Sequence, residues 1–126
     1  MTSKGSKSRL KWEGDSLKQI KTFPKDARGN LGNDLSRLER GEDPLDFRSM
    51  GQVLPGVYEL RDEDKDFWYC VLYAIYAGWI YVLHCFTKTT NQTPLGDINI
   101  ARTRFAAVKA RHALEQKKRK EKKHGT

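Results

Sequence analysis

The chain has 126 residues, enough for one domain and little more. Its 37% hydrophobic and 32% charged content fits a compact core with charged ends and excludes a fully disordered chain. The net charge of +8 belongs to the ends: residues 1–13 hold four basic groups and one acid, residues 117–126 hold six and one, and residues 14–116 hold fourteen of each. The ends therefore read either as solvated tails or as contacts to RNA.

Residues 1–8 read as a disordered lead. The start, MTSKGSKSR, has no apolar core of a signal peptide, which predicts a cytoplasmic protein. Leu10 and Trp12 alternate with polar neighbours, as in a short strand. Asp15 or Ser16 can cap a first helix carrying Leu17 and Ile20 on one face. Pro24 can open a second helix, in which Ala27, Leu31, Leu35 and Leu38 form an apolar stripe. Gly41 is a good stop, with Pro44 beyond it.

Residues 42–56 read as a loop punctuated by Pro44, Gly51, Pro55 and Gly56. Residues 57–61 predict a strand with Tyr58 and Leu60 on one face, Glu59 and Arg61 on the other. Residues 62–66 are a charged turn. Residues 67–86 contain no Asp, Glu, Lys or Arg, a length that could span a membrane. Their aromatic and β-branched content, Ala77-Gly78 near the middle, and the spread of Trp and Tyr along them predict two arms of a hairpin instead. Near-continuous apolar character places both arms in the centre of a sheet.

Residues 87–93 read as a polar loop. Thr93-Pro94 marks a helix start, and Ile98, Ala101, Phe105, Val108 and His112 follow one helical face. After Glu115 the sequence KKRKEKKHGT has no apolar face to pack. The order β-α-α-β-β-β-α predicts an α+β domain over residues 9–115, with residues 116–126 as a basic tail. In it, a helical hairpin and a last helix cover an antiparallel sheet.

The chemistry is sparse. His84, His112 and His124 lack metal-ligand spacing, so no metal is expected. No phosphate-cradling glycine loop is present. Cys70 and Cys85 read as core thiols that fall on neighbouring strands, without support for a disulfide. Two groups read as exposed: Glu59 with Arg61, as a surface ion pair or a functional cluster, and Lys88 in its polar loop. Lys88 beside Arg61 would clamp a phosphodiester; alone it is a solvated lysine.

Several segments carry a family resemblance. They are Gly14-Asp15-Ser16-Leu17 with Phe23-Pro24, Pro55-Gly56-Val57-Tyr58-Glu59-Leu60-Arg61, and Val71-Leu72-Tyr73. They continue through Val82-Leu83-His84-Cys85-Phe86-Thr87-Lys88 to Thr93-Pro94, then Ile98, Ala101 and Arg104. In these the chain resembles RelE/HigB-type toxins of the RelE/ParE superfamily, most closely the phage-associated HigB-like branch. The resemblance spans about residues 9–115 and implies a RelE-like fold.

It also implies a metal-independent endoribonuclease, with no cofactor, that cuts mRNA on the ribosome. The implied partner is an antitoxin, often a helix-turn-helix protein. Arg61 and Lys88 would hold the scissile phosphate. Tyr73 would stack on a base or handle a proton, or else be a core tyrosine. Glu59 and Gln92 would meet the RNA strand. Many relatives carry an arginine where this chain has Cys70, and a second lysine where it has Thr89. Arg102, Arg104 or the basic Lys117, Lys118, Arg119 and Lys120 are candidates to compensate. The alternative is a weakened or inactive toxin fold that binds an antitoxin, the ribosome or gyrase.

Overall fold

The computed structural model describes residues 9–124; the expected lead, residues 1–8, lies outside the described residues. The strands are β1 (Leu10–Trp12), β2 (Phe47–Ser49), β3 (Tyr58–Glu63), β4 (Trp68–Tyr76) and β5 (Trp79–Lys88). The helices are α1 (Ser16–Ile20), α2 (Lys25–Glu39) and α3 (Leu95–His124). They form an α+β unit around one five-stranded sheet ordered β1-β5-β4-β3-β2.

The expected hairpin is the centre of that sheet. β4 and β5 pair antiparallel from Trp68↔Lys88 to Tyr76↔Trp79. Ala77 and Gly78 turn the chain with φ of 52° and 83°, the positive pair that matches hairpin twist. The uncharged stretch therefore folds as sheet, and among the described residues no helix is long and apolar enough to cross a membrane.

Three expectations change. The sheet is mixed rather than antiparallel, because β1 joins the outer edge of β5 in parallel, with Leu10 opposite Ile80. The two strands are far apart in sequence, so no tight turn forces them antiparallel. The stretch read as a loop over residues 42–56 contains β2, antiparallel to β3 with Arg48 opposite Glu59. The first two helices pack on different strands, α1 on β5 and α2 on β3, rather than along each other. Five residues give α1 too little length for a helix–helix seam.

The helix boundaries follow local chemistry. Gly41, at φ 77°, donates its N–H to the Leu38 carbonyl and ends α2. Asp34 is buried on α2 and its Oδ1 accepts the Leu45 N–H at 2.9 Å, tying the following loop down. Burial pushes its carboxyl above the usual range, and the Leu45 hydrogen bond opposes that shift. Asp15 stands at the start of α1 but makes no capping hydrogen bond, and the Ser16 hydroxyl donates to the Val82 carbonyl instead.

The sheet separates two cores. Ala27, Leu31, Leu35 and Leu38 pack with Leu60, Val71, Tyr73, Val82 and Cys85 on the α2 side. Ile98, Ala101, Phe105 and Val108 of α3 pack with Val57, Cys70, Leu72, Leu83 and Phe86 on the other. The two free cysteines thus project to opposite faces of the sheet. Burial pushes both thiols up to about 12. Neither thiol is expected to react with iodoacetamide in the folded protein at pH 8, whereas both react in urea; rapid native labelling counted by mass spectrometry would contradict this packing. Leu31→Ala, at a site with no solvent exposure, is expected to lower stability by roughly 2–5 kcal/mol in urea unfolding.

Candidate functional site

Strand register decides which side chains share a face. Arg48, Glu59, Leu72 and His84 stand opposite one another across four strands, and Arg61, Cys70 and Phe86 form the next row. Between these rows and the hairpin turn, β5 carries an irregularity. Leu72 pairs with His84 but Tyr73 with Val82, which leaves Leu83 as an extra residue. Such a bulge shifts the alternation by one. It lets Tyr81 and Leu83 face α3 while Phe86 does so too. The same shift brings Lys88 to the α3 side, where it meets Glu59.

Glu59 is the hub of that face, fully buried. Its Oε1 accepts Arg48 Nε at 2.8 Å; its Oε2 accepts Thr93 Oγ1 at 2.7 Å and Lys88 Nζ at 3.2 Å. Lys88 also donates to the Asn91 carbonyl and to Thr93 Oγ1, both at 3.1 Å. Arg48 reaches the same Asn91 carbonyl through Nη2 at 3.0 Å. Two cations therefore face one carboxylate, leaving the cluster formally positive. A buried charge is tolerated only when paired and hydrogen-bonded in this way.

Arg61 lies at the open end of the cluster. Its Nη1 donates to Asn91 Oδ1 at 2.8 Å, its Nε is 3.7 Å from Asp46 Oδ2, and its guanidinium sits 4.7 Å from the Trp68 ring centre. Nε is itself buried without a hydrogen bond. Asp46 is well exposed, so Arg61 is held by partners that an incoming anion can replace. Beside Arg48 a groove of about 730 Å³ opens between residues 49–53 and Gln92, Thr93 and Ile98. On its other side Arg61 borders a smaller pocket of about 230 Å³ that also contains Asp34, Asp62 and Glu63.

Several expected site residues stand elsewhere. Lys88 is not an exposed loop lysine. β5 runs two residues past Phe86, and the Lys88 side chain is 1% exposed. Glu59 and Arg61 are not a surface ion pair, since each has other partners. Tyr73 belongs to the opposite face. It is buried in the α2-side core, stacked on Tyr58 at 5.7 Å, and burial raises its hydroxyl pKa. Alternation along β4 keeps it apart from Cys70 and the cations.

Gln92 is exposed at the groove rim. Arg102 is exposed but spans to the Val53 carbonyl at 2.8 Å and pins the 50–57 loop to α3. Arg104 is a strap. Nη1 donates to the Leu83 carbonyl at the bulge, and Nη2 to Asp15 Oδ1, both at 3.0 Å. The Arg104 hydrogen bond holds the Asp15 carboxyl below its usual range. Gly14, at φ 55°, lies under this guanidinium, and a Cβ there would come within 2.3 Å of it. Thr93 does not cap α3; Pro94 accepts the first helical N–H groups, and the Thr93 hydroxyl serves Glu59.

Lys117, Lys118, Arg119 and Lys120 are exposed on the far part of α3. With a rise of about 1.5 Å per residue, they are roughly 30 Å along the helix from the Glu59 cluster. Arg48, Asp46, Trp68 and Asn91 are site residues that the sequence did not single out. Arg48 and Asp46 fall in the stretch read as a loop, and no local pattern marks a buried partner for Glu59.

Residues 18–106 match the family described as phage derived protein Gp49-like (DUF891). The match includes Arg48, Glu59, Arg61, Lys88 and Thr93 and stops before the basic end of α3. No curated protein and no solved structure matches the chain.

The cluster makes an asymmetric prediction. Lys88→Met leaves Glu59 with Arg48 and Thr93, whereas Glu59→Met leaves Lys88 buried with neutral acceptors only. Glu59→Met is expected to cost about 3–5 kcal/mol in urea unfolding and Lys88→Met less. The reverse order would remove Glu59 as the hub.

Proposed function

The chain belongs to the phage-derived Gp49-like family, part of the RelE/ParE-like toxin family, and from that premise we propose that it is the toxin of a type II toxin–antitoxin pair, on the HigB-like branch, acting in the cytoplasm as a ribosome-dependent mRNA endonuclease. The family match over residues 18–106 is the observation that carries this reading. The cognate antitoxin, a helix-turn-helix protein, neutralises it.

In the proposed reaction the ribose 2′-oxygen attacks the adjacent phosphorus and the 5′-oxygen departs. Arg61 is the phosphate contact, exchanging Asp46 and Asn91 for phosphate oxygens. Arg48 and Lys88 outweigh the Glu59 charge, so the floor beneath the phosphate is positive. That charge acts in a water-poor setting, where fixed electrostatics count most. Gln92 on the groove rim hydrogen-bonds the strand. No metal or organic cofactor enters this scheme.

A second reading has a specific observation in its favour. Lys88 is spent on Glu59 and Tyr73 is on the other face, and the family resemblance sets Cys70 and Thr89 where it implies cations. A site reduced in this way suits a toxin fold that occupies the ribosome, or another target such as gyrase, without cleaving RNA.

Induced expression of the full chain is expected to stop growth and to cut translated transcripts, with rescue by the antitoxin. Growth arrest with transcripts whole, in the presence of ribosome-bound protein, supports the second reading; unimpeded growth by folded protein overturns both. Arg61→Ala is expected to reduce cleavage by on the order of a hundredfold while leaving the unfolding midpoint nearly unchanged. Full cleavage by that variant would remove Arg61 from the site.

A further inference from the structure

The sequence reads residues 116–126 as a tail, but α3 continues through residue 124. Its packed face ends with Val108 and half-buried His112, whose ring meets Tyr81 and Tyr76. Every residue from 113 to 122 is exposed. Ten residues of helix thus project past the core for roughly 15 Å. Residues 117–122 hold five basic side chains, Lys117, Lys118, Arg119, Lys120 and Lys122, against Glu121 alone.

We propose that this projecting end of α3 is an anchoring arm for the phosphodiester backbone of a double-helical nucleic acid. At about 100° per residue the five cations point to all sides of the helix axis. A rod charged all round suits a groove walled by phosphates on two strands. Like charges at spacings of three and four, such as Lys118 with Lys122 and Lys117 with Lys120, repel in the free helix. Phosphates neutralise them, and the negative end of the helix dipole already favours cations there.

Other occupants fit less well. An anionic membrane surface requires an apolar face to insert, and no apolar residue follows Leu114. An acidic protein groove would be anchored by buried aromatic or aliphatic side chains, which this segment lacks. Single strands are held by stacking on aromatic rings, and none follows Phe105 apart from His112, already packed, and His124 at the end of the helix. What remains is backbone attraction without sequence reading.

The arm lies outside the family match, so it extends the proposed toxin reading without depending on it. The test compares the full chain with a Lys117→Gln, Lys118→Gln, Arg119→Gln, Lys120→Gln variant, binding short RNA and DNA duplexes of arbitrary sequence. Anisotropy is read between about 50 and 200 mM salt. With about 0.9 lost from the log–log slope per phosphate contact, four contacts make the parent's affinity fall roughly a hundredfold more than the variant's over that range. Preference for one duplex identifies the source of the phosphates.

Equal affinities and equal slopes for parent and variant overturn the proposal, provided circular dichroism shows both folded. Binding to vesicles rich in anionic phospholipid, with none to either duplex, also overturns it. Because binding is read without growth or cleavage, a failed arm and a failed toxin assignment are told apart.

Discussion

Glu59 brings a carboxylate with no solvent contact into a face of the central sheet, and much of the surrounding architecture follows from the need to pair it. Lys88 comes from the end of β5, Arg48 from the edge strand β2, and Thr93 from the approach to α3. Three separate segments are thereby fixed to one point. The loop between β5 and α3 has little apolar content, yet both cations grip its Asn91 carbonyl, and Arg61 holds the Asn91 side chain. The same pairing that stabilises the loop removes Lys88 from solvent. Structure and exposed charge therefore compete for one lysine, and structure has it in the free protein.

That pairing requires the bulge in β5. Strict alternation from Tyr81 would have sent Lys88 towards α2, away from Glu59. The extra residue, Leu83, corrects the phase, and Arg104 donates to its carbonyl while reaching Asp15 at the start of α1. Arg104 is accordingly a positioning residue for the sheet, several contacts removed from Arg61. Gly14 completes the arrangement by leaving room for the guanidinium. A chain of local requirements thus runs from the β1–α1 turn through α3 to the cation cluster.

The elements legible in the sequence are those whose evidence is local. Ala77-Gly78 announces a turn, the Ala27–Leu38 stripe a buried helical face, and Ile98 to Val108 another. The parts that were not legible depend on partners far away in the chain. β2 is three residues long and owes its existence to β3. β1 has no internal cue for parallel pairing with β5. Glu59 and Lys88 look solvent-bound one at a time, since each is charged and their contact spans 29 residues. Tyr73 is a site candidate only through the family resemblance, with a core tyrosine as the other reading, and β4 turns it into the α2-side core. The family resemblance names residues on β3 and β5, and only the folded arrangement shows that Lys88 and Glu59 engage each other.

Charge is consequently divided between two places with different physical character. In the Glu59 cluster it is buried, paired and fixed, and its field is little screened over short distances. Along the end of α3 it is solvated and screened within about a Debye length, suited to attracting a polyanion rather than to chemistry. A compact domain that is formally neutral over residues 14–116 gains little electrostatic steering from its body. On the proposed reading, delivery falls to the arm, roughly 30 Å from the cluster, and phosphate binding to Arg61, which must first exchange its Asp46 and Asn91 partners. If the arm captures as proposed, separating it from the site lets each be tuned alone: the exposed end of α3 changes charge with few packing consequences, whereas any change at Glu59 disturbs the sheet that supports it.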